Sequence, residues 1–470
     1  MSRWKKSALL KYSSPTPKIL LSGVGALLAA FIVNRFEYIL NAIFQLLEIN
    51  KGFEFGTYEN SMIIVAIILF TIAPIEYLIR SDKRHIKYLI IKRLCKVAYG
   101  NPLHLIEGEI EPHVYVVKTE SGYRIKIECK SALYEDIANL ETTISDCLIG
   151  RYGNFAVVSK EEDIAGRYVD YYIEDVVTNY NKQSIYYSLD DIPADTTKIY
   201  IRDDVYIDYS KVLNSSAIIA GKSRSGKTTA IISTFLLPIL KLGKDDFGSR
   251  VIIVDPKSAE LSLCPYVLSP KNDGNVEHIL NAIREFNRLR IRRQKIINDA
   301  SKKTGRAKKW FDIGMKPSIL FLDEFVSIQD MFPKKPTKEK PDYSLAEFQG
   351  LLRQIATQGA SAGCFLILST AEASVGTGGL ETAVNNACGI RILFKPSKEE
   401  ARFLWGTEKL EVLRERNFNA GDAWFSADDG NNNSVKFIKF PRMEFGEYKA
   451  LSKLLSKYYE DNKRRHDSTQ

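Results

Sequence analysis

The sequence predicts an α/β fold on a parallel sheet, preceded by a two-span transmembrane helical hairpin and a small α+β domain. Three observations predict it: two apolar stretches near the N-terminus, a block of alternating apolar and polar residues after about residue 97, and a later series of short apolar runs with polar residues at their carboxyl ends. With 470 residues, 45% hydrophobic and 26% charged, the chain can bury sizeable cores and fits neither a disordered nor a collagen-like polypeptide. Lys and Arg number 66 against 57 Asp and Glu, a net +9 that permits an anionic partner without requiring one. The six cysteines form no CxxC pair and the five histidines stand at no ligand spacing, which argues against a disulfide framework and a zinc site and for reduced, cytosolic thiols.

The first apolar stretch, 19–33 (ILLSGVGALLAAFIV), is short for a bilayer span of about 20 residues and reaches that length only by running past Arg35 and Glu37. The second, 62–79 (MIIVAIILFTIAPIEYLI), is the better span. A basic start before an apolar stretch also describes a cleaved signal peptide. Here no small-x-small cleavage site precedes a polar segment, and a second apolar stretch follows soon after. Arg3, Lys5, Lys6, Lys11 and Lys18 precede the first span, and Arg80, Lys83, Arg84, Lys87, Lys92, Arg93 and Lys96 follow the second. The segment between, 34–60, carries Arg35 and Lys51 against Glu37, Glu48, Glu54 and Glu59. By the positive-inside rule both termini and everything after about residue 80 lie in the cytoplasm, tethered to the cell membrane. The basic cluster after the second span also suits anionic lipid.

From about 97 to 205 the pattern alternates. Val114 to Val117, a Ser121-Gly122 turn and 123–129 (YRIKIEC) read as a hairpin, 133–149 as a helix, and FAVVS and YVDYYIEDVV as strands. No catalytic constellation stands in this segment. Its tyrosines (Tyr168, Tyr171, Tyr172, Tyr180, Tyr186, Tyr187) read as half-buried strand residues, with a stacking surface for nucleic acid as the alternative. The chain thus divides into an anchor (1–80), a linker and small α+β domain (81–205), a larger α/β core (206–446) and a C-terminal helix with a polar tail (447–470).

Ala217 to Ala220 is a short apolar strand that runs into Gly221, Lys222, Ser223, Arg224, Ser225, Gly226, Lys227, Thr228 and Thr229, followed by an apolar helix pattern. This is GxxxxGKT in its strand–loop–helix context, where backbone N–H groups and a helix N-terminus face a phosphate. Lys227 would reach the β and γ phosphates of ATP, and the Thr228 hydroxyl would bind Mg²⁺. The run 318–324 (SILFLDE) is a buried strand ending in two carboxylates, a Walker B pattern. There Asp323 would hold the Mg²⁺ shell and Glu324 would orient and deprotonate the attacking water. Further strand-like runs at 251–255, 364–370 and 391–394 complete a parallel sheet of the kind a RecA-like P-loop ATPase core requires.

Asp255-Pro256-Lys257-Ser258-Ala259-Glu260-Leu261 resembles the DPK-x-x-x-L signature of FtsK/SpoIIIE DNA translocases. The segments 351–370 (LLRQIATQGASAGCFLILST), 387–406 (ACGIRILFKPSKEEARFLWG) and 419–425 (NAGDAWF) resemble later elements of the same domain, in the same order. The resemblance covers roughly 205–445. With the membrane hairpin and the intermediate domain, the whole chain resembles the TcpA/ConQ group of conjugative coupling proteins from Gram-positive mobile elements. That resemblance implies ATP hydrolysis coupled to DNA translocation, a homo-hexamer, a relaxase or relaxosome as partner, and membrane proteins of a type IV secretion channel. Where the family has Gln-Arg-Pro, this chain has Ala371-Glu372-Ala373, so the usual γ-phosphate-sensing glutamine is missing, leaving Thr370 and Glu372 as candidate substitutes. The family's arginine before the AG of the helix–strand turn is Ala360 here, leaving Arg391 and Arg353 as candidates for an arginine finger.

DNA contacts are placed on the helix 282–297, with Arg284, Arg288, Arg290, Arg292, Arg293 and Lys295, and on a following loop with Lys302, Lys303, Arg306, Lys308 and Lys309. Such a run gives sequence-independent, salt-sensitive binding, and its alternative is a solvated helix face. A second basic stretch, 333–341 (PKKPTKEKP), reads as a flexible excursion. The short segment after 446 leaves no room for a winged-helix reader of polar sequences. The leading expectation is therefore a membrane-anchored coupling ATPase. A chromosome-segregation translocase, a type VII-like protein-secretion ATPase and a weakly hydrolysing scaffold are the alternatives.

Overall fold

The computed structural model describes residues 16–47, 52, 54–79, 82–95, 102–105, 112–128, 130–212, 214, 216–270, 276–373, 382–406 and 418–467. Arg3, Lys5, Lys6, Lys11, Glu48, Lys51, Arg80 and Lys96 of the topology argument lie outside them. The chain forms two compact units, Met1–Asp175 and Val176–Gln470.

The first unit opens with helices α1 (Thr16–Leu46) and α2 (Gly56–Ile79), which pack against each other as a hairpin. Helix α1 does continue past Arg35 and Glu37, and both helices are long and apolar enough to cross a membrane. Polar groups near the hairpin's loop satisfy one another: Asn34 donates to Glu59 at 2.9 Å, and the Phe55 N–H donates to Glu37 at 3.0 Å. Helix α3 (Asp82–Cys95) is amphipathic, with Ile86, Leu89, Ile90 and Leu94 turned inward at helical spacing. They join a core with the antiparallel sheet β1 (His113–Lys118), β2 (Gly122–Glu128), β3 (Phe155–Glu162) and β4 (Val169–Asp175), in the order β1-β2-β4-β3.

The segment expected as one helix over 133–149 is two, α4 (Tyr134–Ala138) and α5 (Glu141–Cys147). The break at Asn139 is sealed by the buried Tyr171 hydroxyl, which donates to the Ile137 carbonyl and accepts from the Leu140 N–H. A side chain more than thirty positions away thus replaces the helical hydrogen bonds that local spacing anticipates.

The second unit begins with α6 (Val176–Asn181), β5 (Ile185–Tyr186) and the hairpin β6 (Lys198–Arg202) and β7 (Val205–Asp208). The boundary expected at 205/206 falls instead at 175/176, because 176–205 packs on the later part of the chain. Tyr180 donates to Asp422 at 3.0 Å, Gln183 to the Phe440 carbonyl at 2.8 Å, and Lys241 to the carbonyls of Leu189 and Ile192 at 2.8 and 2.6 Å. Then come β8 (Ala217–Gly221), α7 (Lys227–Ile231), a wider turn over Ile232–Leu236, and α8 (Leu237–Leu242). Pro238 has no N–H to offer the preceding turn, which is where the helix widens.

The remaining elements are β9 (Val251–Val254), β10 (Val267–Leu268), α9 (Glu277–Thr304), β11 (Ser318–Leu322), α10 (Phe325–Gln329), α11 (Leu345–Ala362), β12 (Cys364–Thr370), α12 (Thr382–Asn386), β13 (Ile390–Phe394), α13 (Lys398–Trp405), β14 (Asp422–Ala427), β15 (Asn432–Lys439), β16 (Arg442–Met443) and α14 (Glu447–Asp467). Strand order in the main sheet is β10-β9-β11-β12-β8-β13-β14-β15, parallel as far as β13, with β14 and β15 antiparallel. Side chains alternate between two cores. On β12, Phe365 and Ile367 face one with Phe235, Trp310 and Leu451, and Leu366 and Leu368 face the other with Ile283, Phe348 and Ile355. Burial on both faces explains why these strands read as unbroken apolar runs.

Candidate nucleotide site

Strand β8 ends at Gly221, and the loop turns back on itself to start α7 at Lys227. Gly226 has φ +90°, and a Cβ there would lie 2.7 Å from the Gly421 nitrogen, so glycine is required twice over. The Gly421 N–H donates to the Ser225 carbonyl at 2.8 Å, and the Asn419–Asp422 turn thereby braces the loop from outside. Lys222, Ser223 and Arg224 are exposed, Thr228 and Thr229 are half-buried, and the buried Ser225 hydroxyl has no partner among the described residues.

Four of the predicted catalytic residues converge: Lys227, Asp323, Glu324 and, through its carbonyl, Thr370; Arg391 pairs with Ile218 at the start of β8, the other end of the strand. Asp323 and Glu324 follow β11, which runs parallel to β8 with β12 between them. Lys227 Nζ donates to the Thr370 carbonyl at 2.8 Å and lies 4.0 Å from Glu324 Oε2. Asp323 Oδ1 accepts from the Ser369 hydroxyl at 2.8 Å. Glu324 Oε1 accepts from the Ala371 N–H at 3.0 Å, and Oε2 from Lys257 Nζ at 3.0 Å. Lys257 follows β9, and its loop is held by the buried Asp255, whose carboxylate accepts from the N–H groups of Lys257, Ala259 and Ser262.

These contacts set the charges. Burial lowers the Lys227 pKa, opposed by Asp323 and Glu324. Burial raises that of Asp323, opposed by Ser369 and Lys227. Burial would also raise Glu324, but the Lys257 and Ala371 hydrogen bonds and the Lys227 charge outweigh it and hold the carboxyl below its ordinary value. Glu324 is therefore ionised, as a proton acceptor must be. Asp323 and Thr228 are the oxygen donors that fit a Mg²⁺ ion, a hard cation that takes a carboxylate or hydroxyl together with phosphate oxygens.

Sequence reasoning missed Lys257, Ser369 and the bracing turn. The DPK run marks Lys257 by position only, and the cross-strand pairing that brings it to Glu324 is not a local property. Thr370, expected as a sensor, donates its hydroxyl to the Glu372 carbonyl at 3.1 Å and serves Lys227 through its own carbonyl. Arg391 is half-buried in β13 and donates to the Asn385 carbonyl of its own chain at 3.1 Å, and Arg353 is exposed on α11.

Of the expected DNA contacts, Arg293 is corrected. Its side chain is 0% exposed, pairs with Asp245 at 3.0 Å, and donates to the carbonyls of Ala362 and Lys316. It locks the start of β11 to the end of α11 and is unavailable to phosphate. Arg290 is also buried, against Asn287 and Gln358. Lys302 and Lys303 belong to the last turn of α9, not to a loop. Arg288, Arg292, Lys295, Lys302 and Lys303 are exposed along α9, followed by exposed Arg306, half-buried Lys308 and exposed Lys309. In the 333–341 stretch Lys340 pairs with Glu277.

No family model matches the chain. The FtsK domain-containing protein YdcQ of Bacillus subtilis (strain 168) is 24% identical over 363 residues, covering 74% of this chain and 71% of YdcQ. Among solved structures, the pCW3 conjugation coupling protein TcpA with ATPγS is similar to this chain with a TM-score of 0.44 and 14% identity, over 78% of this chain and 99% of that one. ATPase domains 2 and 3 of EssC from Geobacillus thermodenitrificans give a TM-score of 0.41 and 16% identity, over 59% of this chain and 52% of theirs.

Proposed function

We propose that the chain is a membrane-anchored, RecA-like ATPase that moves DNA, or a DNA–relaxase complex, toward a conjugative secretion channel. The observation that carries the reading is the convergence of Lys227, Asp323 and Glu324 at the carboxyl ends of one parallel sheet. It occurs in a chain whose motifs follow the FtsK order. The hairpin α1/α2 is the anchor, with both of its ends on the cytoplasmic side by charge placement.

In this reading ATP lies along the Gly221–Thr229 loop, and Lys227 leaves the Thr370 carbonyl for the β and γ phosphates. Thr228 and Asp323 would hold Mg²⁺, which would supply charge neutralisation at the phosphate. Glu324, already ionised and fixed by the Ala371 N–H, orients the attacking water and takes its proton. A homo-hexamer supplies the arginine finger from a neighbouring subunit, with Arg391 or Arg353 the candidates. The exposed cations Arg292, Lys302, Lys303, Arg306 and Lys309, with the half-buried Lys308, hold phosphates without reading sequence.

The test is ATP turnover by the full chain in lipid nanodiscs without DNA, with single-stranded DNA and with duplex, beside Glu324→Gln. Stimulation by DNA that the variant lacks supports the motor and reports the preferred strand form. Turnover indifferent to both forms favours a protein-loading ATPase or a scaffold.

A further inference from the structure

Two ammonium groups bracket a single carboxylate oxygen in the candidate site. Glu324 Oε2 lies 3.0 Å from Lys257 Nζ and 4.0 Å from Lys227 Nζ. The two cations come from different strand ends, β9 and β8, with β11 and β12 between them in the sheet. Lys227 is nearly enclosed, its side chain 11% exposed, whereas that of Lys257 is 56% exposed. An ammonium has three donors. Lys257 directs one to Glu324, and its side chain is largely exposed beside the carboxylate that would address the γ-phosphate.

The loop that carries Lys257 is built, not incidental. Asp255 is fully buried and accepts from the backbone N–H groups of Lys257, Ala259 and Ser262, so the lysine leaves a fixed platform. Ser258 sits at φ +50° and its hydroxyl bonds Ser269, which pins the same loop from its far side. The tip of β12, across the site, offers no cation among its described residues. The Thr370 hydroxyl is engaged by the Glu372 carbonyl, Ala371 gives only its N–H, and Glu372 is an acid.

We propose that Lys257 is a γ-phosphate ligand of this site, a nucleotide-state reader that holds Glu324 when the γ-phosphate is absent and shares it with the γ-phosphate when ATP is bound. This rests on the nucleotide-site reading above. The physical basis is charge. A γ-phosphate brought beside Glu324 sets a second anion against a carboxylate already present, a repulsion that Lys227, directed to the β and γ oxygens, and a Mg²⁺ on the side of Thr228 and Asp323 would offset only in part. A second ammonium already within hydrogen-bond distance of the carboxylate bridges the two anions without a new ordering cost. ADP lacks the group that Lys257 reads, so the residue discriminates between the two nucleotides.

The experiment is equilibrium binding of ATPγS and of ADP, each with Mg²⁺, to the full chain and to Lys257→Ala, Lys257→Arg and Lys227→Ala. Lys257→Ala is expected to weaken ATPγS by about tenfold, the size of one charge-assisted hydrogen bond. ADP affinity is expected to hold, which also shows that the variant is folded. Lys257→Arg is expected to keep much of the preference. An unchanged ratio of the two affinities in Lys257→Ala overturns the proposal, and so does an equal loss for both nucleotides, which marks a purely structural lysine. Failure of the wild-type chain to bind either nucleotide, or binding untouched by Lys227→Ala, overturns the site reading itself.

Discussion

Glu324 occupies the left-handed region at φ +44° and ψ +57°, a conformation that costs a non-glycine residue on the order of 1–3 kcal/mol. Its neighbours hold it there, with the Ala371 N–H on one oxygen and Lys257 on the other. Glu324→Gln keeps the shape and removes the base. It should bind ATP as tightly as the wild type while turnover falls by about a hundredfold or more, and rapid hydrolysis by the variant would remove the residue from the role. The arginines of α9 behave in the opposite way. In the sequence Arg292 and Arg293 look alike, and helical phase separates them, one in water and one sealed beside Asp245. Arg293→Ala leaves a buried Asp245 without its partner and should destabilise the second unit by about 3–5 kcal/mol, whereas Arg292→Ala should be nearly neutral. Thermal unfolding of the two variants side by side checks it.

At the scale of elements, α9 and the turn after it put an exposed cation stripe on one side of an otherwise packed helix. Replacing Lys302, Lys303, Arg306, Lys308 and Lys309 by alanine should reduce the slope of log binding constant against log salt by roughly 0.9 for each duplex phosphate that is no longer neutralised. An unchanged slope returns the stripe to a solvated surface. Helix α3 makes a different prediction. Asp82 at its first turn accepts from Tyr152, from Tyr123 at 2.9 Å, and pairs with Arg151 at 3.0 Å. The Tyr152 bond is the largest cause of an Asp82 pKa held below its ordinary value; burial opposes it. A depressed folded pKa contributes stability above the unfolded value, near 4, that is lost as pH falls through the folded one. Hydrogen-exchange protection of α3 in the full chain should therefore drop on acidification below about pH 4, and drop less in Asp82→Asn. Equal losses in both chains would detach the effect from this carboxylate.

Across the whole molecule, what could be read in advance was what local pattern encodes. The doubly buried strands, the phosphate loop and the carboxylate pair after β11 each declare themselves within about ten residues. The order of β8, β12 and β11, the Lys257–Glu324 contact and the seal at Asn139 depend on which strands become neighbours, and no local period reports that. The unit boundary at 175/176 escaped for the same reason. Tyr180 and Gln183 look like the end of a small domain until Asp422 and the Phe440 carbonyl, 242 and 257 positions away, are placed beside them. In the proposed function this site converts ATP hydrolysis into movement along DNA. ATP-dependent displacement of streptavidin from end-biotinylated DNA by the full chain in nanodiscs reads that movement out. The account predicts displacement with ATP, none with ATPγS, and none by Glu324→Gln. Steady ATP turnover in the presence of bound DNA, with the streptavidin left in place on both single and double strands, would contradict it.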